Sequence, residues 1–511
     1  MVLSRGQFIV HMPQIILFLI FLAEYLTTPK TLLFYDQIEY LTIVSTHNFW
    51  QVLSLGHFPI HPAFLAIFWI TSRIFLPNIT ALVFGIASGI LMYQVSKIIF
   101  KKGNFWLATL IFLLFPGVWL VNTNLMVHSV LLTFYLLSIL LLLRKKTVLF
   151  FLTIFLMAMT HFDAAYWAPT VLIFPIIFKK ETSFRSKDVL KFAALIASAL
   201  LASAFSYIFI YIFIRKDYGG SMEQLLAYSS FGILRILRNI WYGFINSFGS
   251  LMPFLLAFLI AKNTRIKLEW AALIFFGIAV SLGGAYWQGD LMQRRIVFAG
   301  VFIALITYRY LKNKSFWIIL YLAPIILANG ILYYRDNPGM ALAAMQKHID
   351  GLPKSQVLVQ SHYYQPFTKY DGVVLWIGND DLGQIDKYLD SGIRVFITKE
   401  SVTAPYLLVV GNNYHITSVG KAGNSESRFL FKKYVFEPYG NNLELKLFKG
   451  SEISIQAGEP VVSYDQSFFG RLARRRIDYG DVGSWIWALL TGHRDPIGWS
   501  YKDARGIWLQ I

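Results

Sequence analysis

Between Lys30 and Phe64 the chain reads KTLLFYDQIEYLTIVSTHNFWQVLSLGHFPIHPAF, which gathers two carboxylates, Asp36 and Glu39, and three imidazoles, His47, His57 and His61. An apolar segment ends before this stretch and others begin after it, so these groups stand at a membrane surface. A carboxylate there can act as general base, taking the proton of an acceptor hydroxyl as it attacks an activated sugar carbon. It can equally cap the helix that runs through YLTIVSTHNF, with Glu39 in the capping-box relation to Asp36. In LGHFPIHPAF, His57, Pro59, His61 and Pro62 make a rigid, kinked entry into the next apolar segment. Proline fixes the backbone and removes a donor, which holds the imidazoles at the surface. Their i, i+4 spacing could suit a metal, but no acid-bearing helix frames it as a zinc motif requires. Contact with substrate is the preferred reading.

Three later stretches carry comparable groups. FPGVWLVNTNLMVHSV places Asn122, Asn124 and His128 where a span re-enters, and polar groups in lipid usually face an interior cavity. THFDAAYWAPT places His161 and Asp163 at the same level, either as a hydrogen-bonded orienting pair or as two independent interfacial residues. GDLMQRRIVFAG sets Arg294 and Arg295 at the outer end of a span, where the positive-inside rule does not put them. A guanidinium grips phosphate with a bidentate fork and can stabilise charge on a leaving group. The alternative is a salt bridge to Asp290 with headgroup snorkelling.

The elements that must position these residues are membrane spans. Of the 511 residues 56% are hydrophobic and only 14% charged, far below the roughly 25% of soluble domains. Apolar stretches recur near 8–26, 62–77, 80–98, 105–121, 125–143, 148–160, 164–178, 190–214, 241–261, 268–286, 296–309 and 315–334. The first, Phe8 to Leu26, lacks a small-residue cleavage site and reads as a retained signal-anchor. Basic clusters at Lys97–Lys102, Arg144–Lys146, Lys179–Lys187, Lys262–Lys267 and Arg309–Lys314 alternate with basic-poor loops, which puts the clusters inside. With the N-terminus inside, 62–77 and 80–98 cannot both be full crossings. About eleven spans result. The net charge of +18 follows from the same loops, and no basic run carries a base-stacking platform, so no nucleic acid is expected as partner. The chain has no cysteine, hence no disulfide or thiolate metal site.

From Asn337 the pattern changes. The β-branched runs QVLVQS, GVVLWIG, IRVFIT and YLLVVG alternate with turns, and DLGQIDKYLD reads as an amphipathic helix capped by Asp381. The expected fold is therefore mainly α, a polytopic transmembrane helical bundle over 1–336 whose first outer loop is 28–61. A C-terminal extracytoplasmic α/β domain follows over 337–511. Its basic, Trp-rich tail from Phe468 either packs normally with a solvated basic face or touches headgroups.

The order of parts resembles the GT-C superfamily of membrane glycosyltransferases, in particular the branch with protein O-mannosyltransferases and lipid A aminoarabinose transferase. Asp36 with Tyr40 is similar to that family's first-loop acid motif, HFPIHPAF to its entry to the second segment, and QRRIVFAG to its late arginine motif. The resemblance covers roughly 8–334. Gln37 stands where the branch usually has a second acid, His128 or Asn124 where it has a second-loop acid, and THFDAAY where it has a lysine-bearing turn. What the resemblance implies is an inverting transferase of the cytoplasmic membrane with its C-terminal domain outside. A sugar on a polyprenyl phosphate would pass to a glycan, lipid or protein acceptor in contact with the bilayer. Asp36 would be the base and Arg294 or Arg295 would hold the phosphate. Glu39, Tyr40, His57, His61, Asn124, His128, His161 and Asp163 would line the substrates. No metal ligands are assigned and no cofactor is obligatory, though a divalent cation is possible. The rivals are a transporter or lipid flippase, which calls for charged or broken helices at mid-membrane and an inverted repeat, and an envelope-assembly scaffold.

Overall fold

In the computed structural model the described residues are 5–28, 35–55, 61–101, 103–178, 184–215, 292–311, 322–323, 326, 354–355, 357–361, 370–377, 387–388, 391–393, 395–398, 414–428, 431–438, 444–447 and 507–510. The chain divides into two units, Met1–Lys30 with Ile43–Asn329, and Thr31–Thr42 with Gly330–Ile511.

An apolar backbone in lipid can satisfy its N–H and C=O groups only within itself, and the first unit is accordingly helical. Its described helices are α1 (Arg5–Thr27), the end of α2 (Tyr35–Thr46), α3 (Phe49–Val52), α4 (Pro62–Thr71), α5 (Pro77–Phe100), α6 (Trp106–Leu114), α7 (Pro116–Thr123) and α8 (Val127–Leu143). They continue with α9 (Thr147–Thr160), α10 (Ala164–Thr170), α11 (Ile173–Ile177), α12 (Ser186–Phe209, prolonged by a π turn to Arg215) and α13 (Met292–Leu311). Helix α8 is apolar on every side and almost wholly buried, which makes it the central element. It packs on α5, α9 and α13, while α9 packs on α4 and α12. Helix α12 instead turns Leu190, Leu201 and Phe205 outward, a face that suits lipid.

Among the described residues two helices are long and apolar enough to cross a membrane, Pro77–Phe100 and Ser186–Ile214. Helix α4 has ten residues, about 15 Å, half of the roughly 30 Å hydrocarbon core. Helices α6 and α7 form a third candidate span bent by 75°. The cause is Pro116, which removes one ladder donor and forces Phe115 to extended ψ 129. The expected spans 241–261 and 268–286 lie outside the described residues, as does most of 315–334.

The second unit holds a sheet among its described residues, in the order β2-β1-β3-β7-β4-β5 with β6 on β4. The strands are β1 (Val357–Ser361), β2 (Val373–Ile377), β3 (Val395–Thr398), β4 (Tyr414–Arg428), β5 (Phe431–Pro438), β6 (Glu444–Leu447) and β7 (Ile507–Gln510). β1 pairs in parallel with β2 and with β3, and parallel neighbours need a crossover between them. Lys387 and Tyr388, between β2 and β3, are helical. β7 lies antiparallel to both β3 and β4, which joins the parallel part to an antiparallel one. Asp381, YLLVVG and most of the tail lie outside the described residues.

Candidate functional site

Helix breaks at one end of the first unit bring together four residues from three distant stretches of sequence. Pro62 opens α4 and leaves His61 at its cap position. His128 lies in the first turn of α8. Helix α9 stops at His161, whose backbone is extended, and α10 begins immediately after Asp163. Because α4 and α8 both pack on α9, the breaks meet. His128 Nε2 lies 3.3 Å from Asp163 Oδ2, with both side chains fully buried. His161 Nδ1 lies 3.3 Å from Asp163 Oδ1 and accepts the Asp163 backbone N–H at 3.0 Å. Tyr166 donates its hydroxyl to Asp163 Oδ1 at 2.8 Å. The His61 ring stacks on His161 with centroids 4.8 Å apart, and His128 tilts against the same ring at 4.9 Å.

These contacts set proton positions. The His128 tautomer follows its partner: beside an ionised Asp163 carboxylate Nε2 carries the proton, and as a metal ligand Nε2 carries none. His161 accepts at Nδ1 and carries its proton on Nε2. Such a site can orient hydroxyls, pass a proton or ligate a cation: His128, His161 and Asp163 each offer a ligand atom within 4.8 Å of the others.

Helix α13 closes over the cluster. Phe298 lies 6.4 Å from the His128 ring, 5.0 Å from Trp167 and 5.5 Å from Tyr135. Arg294 is four residues earlier, one turn before Phe298 on the helix, and Arg295 is beside it. The side chains of both arginines lie outside the described residues.

The solved structures that resemble the chain include two of one protein. Both are of ArnT from Cupriavidus metallidurans, one in the apo state and one bound to undecaprenyl phosphate. Each has 11% sequence identity and a TM-score of 0.45; they cover 81% and 85% of this chain and 96% and 98% of their own. No family model and no curated protein matches the chain. Likeness at this level carries no residue-by-residue correspondence, and the site stands on its own geometry.

Of the residues singled out in the sequence, His61, His128, His161 and Asp163 converge. Asn124 is engaged elsewhere among the described residues: its amide donates to Leu120 O at 3.0 Å and Thr123 Oγ1 at 3.1 Å, closing the C-terminus of α7. His61 is not held at the surface as its proline-flanked motif suggests, because packing on His161 leaves it only 3% exposed. Asp36 and Glu39 both lie on α2, and Tyr35 already belongs to that helix, so Asp36 sits in a helical turn rather than at a cap. Their side chains, and His57 altogether, lie outside the described residues; Tyr40 is buried. A capping box among the described residues joins Asn48 and Gln51 at the start of α3.

One residue absent from the sequence reading is Glu24, fully buried in α1, whose Oε1 accepts the Asn122 amide at 3.0 Å. The signal was a lone acid inside an apolar run. Gly85 on α5 makes room for this pair, since a methyl added there would lie 2.6 Å from Asn122 Cγ.

The opposite end of the same helices is basic. Lys145, just past α8, pairs with Asp188 at 2.9 Å and lies over the Phe184 ring at 5.0 Å. Arg309 lies over Phe178 at 4.8 Å, and Phe100 touches both Phe178 and Tyr308. At this end Lys145 thus meets the chain at 184–188, and Arg309 meets it at Phe178.

Proposed function

We propose that the protein is a membrane glycosyltransferase that moves a sugar from a polyprenyl-phosphate donor to an acceptor on the extracytoplasmic face. The observation that carries this reading is the packing of Phe298 on His128. It supports a donor phosphate near Arg294 and Arg295 and reacting groups near the His/Asp cluster, at the end of the bundle opposite the basic loops.

The reaction is a single displacement with inversion. The acceptor oxygen bonds to the anomeric carbon, the bond from that carbon to the phosphate oxygen breaks with its electron pair leaving on phosphate, and the hydroxyl proton passes to Asp36. The arginines stabilise the leaving polyprenyl phosphate. His61, His128, His161 and Asp163 orient the substrates, and their contacts with one another support this by holding the side chains in place beforehand.

The test is transfer of radiolabelled sugar from polyprenyl-phosphate donors by purified full-length protein, wild type beside Asp36→Asn. Undecaprenyl phosphate, the lipid bound in one of the similar structures, is the first carrier to try. Transfer by the wild type with a loss of about 10²- to 10⁴-fold in the folded variant is the expected result. Undiminished transfer by the variant keeps the transferase and moves the base to His61 or Asp163. No transfer from any donor and acceptor pair overturns the reading.

A further inference from the structure

We infer that His128, His161 and Asp163 form a buried binding site for one divalent transition cation of the zinc class, a site that stands whether or not the chain transfers a sugar. The distances point this way. Both imidazole-to-carboxylate contacts are 3.3 Å, longer than the roughly 2.7–2.9 Å of a charge-assisted hydrogen bond. Two donors on a tetrahedral cation with bonds of about 2.1 Å stand roughly 3.4 Å apart, and each imidazole nitrogen already stands at that distance from one oxygen of the carboxylate, His128 Nε2 from Oδ2 and His161 Nδ1 from Oδ1. The third pair of ligand atoms lies within 4.8 Å, and a small turn of the His161 ring closes it. That turn gives up the Asp163 N–H to His161 Nδ1 bond, a single neutral contact.

Chemistry and surroundings select the cation. Two imidazoles with one carboxylate suit zinc, cobalt or nickel rather than magnesium or calcium, which take oxygen ligands. Tyr166, held on Asp163 Oδ1 at 2.8 Å, supplies the outer hydrogen bond that fixes a ligating carboxylate. Three protein ligands leave a fourth position open, and one carboxylate leaves a net positive charge. The open position therefore takes an anionic oxygen, a phosphate oxygen or hydroxide among them.

The experiment uses full-length protein without a polyhistidine tag, loaded with zinc ion in detergent, passed through a desalting column and analysed for metal by mass spectrometry. The expected result is about one zinc per chain in the wild type, with at least a tenfold loss in Asp163→Asn and in His128→Gln. Absence of zinc from the wild type, or equal retention in both folded variants, overturns the site. Should the variants not fold, the wild type loaded with cobalt(II) decides. Intense visible bands of a four-coordinate nitrogen–oxygen site support it, and the weak spectrum of six-coordinate cobalt overturns it.

Discussion

The two ends of the helical unit treat polar groups in opposite ways. At one end His61, His128, His161 and Asp163 are taken out of solvent and held by contacts between four helices. At the other, Lys145 keeps 46% of its side chain exposed and Arg309 rests its guanidinium on an aromatic face. About 25 Å of α8 separates them, close to the thickness of a bilayer core. Burying a carboxylate and three imidazoles costs several kcal/mol unless partners are supplied, whereas a solvated lysine costs almost nothing. The expensive end is thus the one whose polar groups need partners, and the cheap end leaves Lys145 partly in solvent.

This contrast can be broken experimentally, beginning at the expensive end. Replacing Asp163 with Ala removes the acceptor shared by His128 and Tyr166, and the transfer rate should fall by at least about 10²-fold with helicity unchanged by circular dichroism. Gly85→Val forces side-chain atoms into Asn122 and should destabilise the protein by about 1–3 kcal/mol, read from unfolding in mixed micelles. At Glu24 the form of the substitution matters. Glu24→Gln keeps a carbonyl to accept the Asn122 amide and should stay within about 1 kcal/mol, while Glu24→Ala strands that amide at roughly 1–3 kcal/mol. The smallest effect is expected at Lys145. Its φ of +55° is left-handed, costing roughly 1–2 kcal/mol for a side chain. Its exposed ion pair contributes about 0–1 kcal/mol. Lys145→Gly relieves the first, loses the second and adds the chain entropy of glycine, about 0.5–1 kcal/mol, so the three nearly cancel and stability should change by about 1 kcal/mol or less with transfer intact. An effect at Lys145 as large as that at Asp163 would erase the distinction between the ends.

Composition made the helical unit legible, because hydrophobic length is a property of contiguous sequence. The pairings within the site were not. His161 and Asp163, two residues apart, suggest each other as partners, yet only the backbone amide of Asp163 makes a short bond to His161. The carboxylate reaches 35 residues back to His128, a contact that exists only once α8 packs on α9. Asn124 stood at the right level for substrate contact but is used to end a helix, a local demand that competes for the same amide. In the second unit β1, β2 and β3 were legible from their β-branched runs, but their neighbour β7 lies more than a hundred residues away, hidden in a tail read for its charge.

The stacking of His61 on His161 also sets a timetable. Exactly those rings that touch are synthesised one hundred residues apart, and at 5–20 residues per second the first emerges roughly 5–20 s before the second. Phe298 follows after a further wait of similar length. During translation His61 must therefore be threaded through the insertion machinery before its lifelong neighbour exists. A ribosome stalled before residue 161 would leave an imidazole stranded for quality control to find.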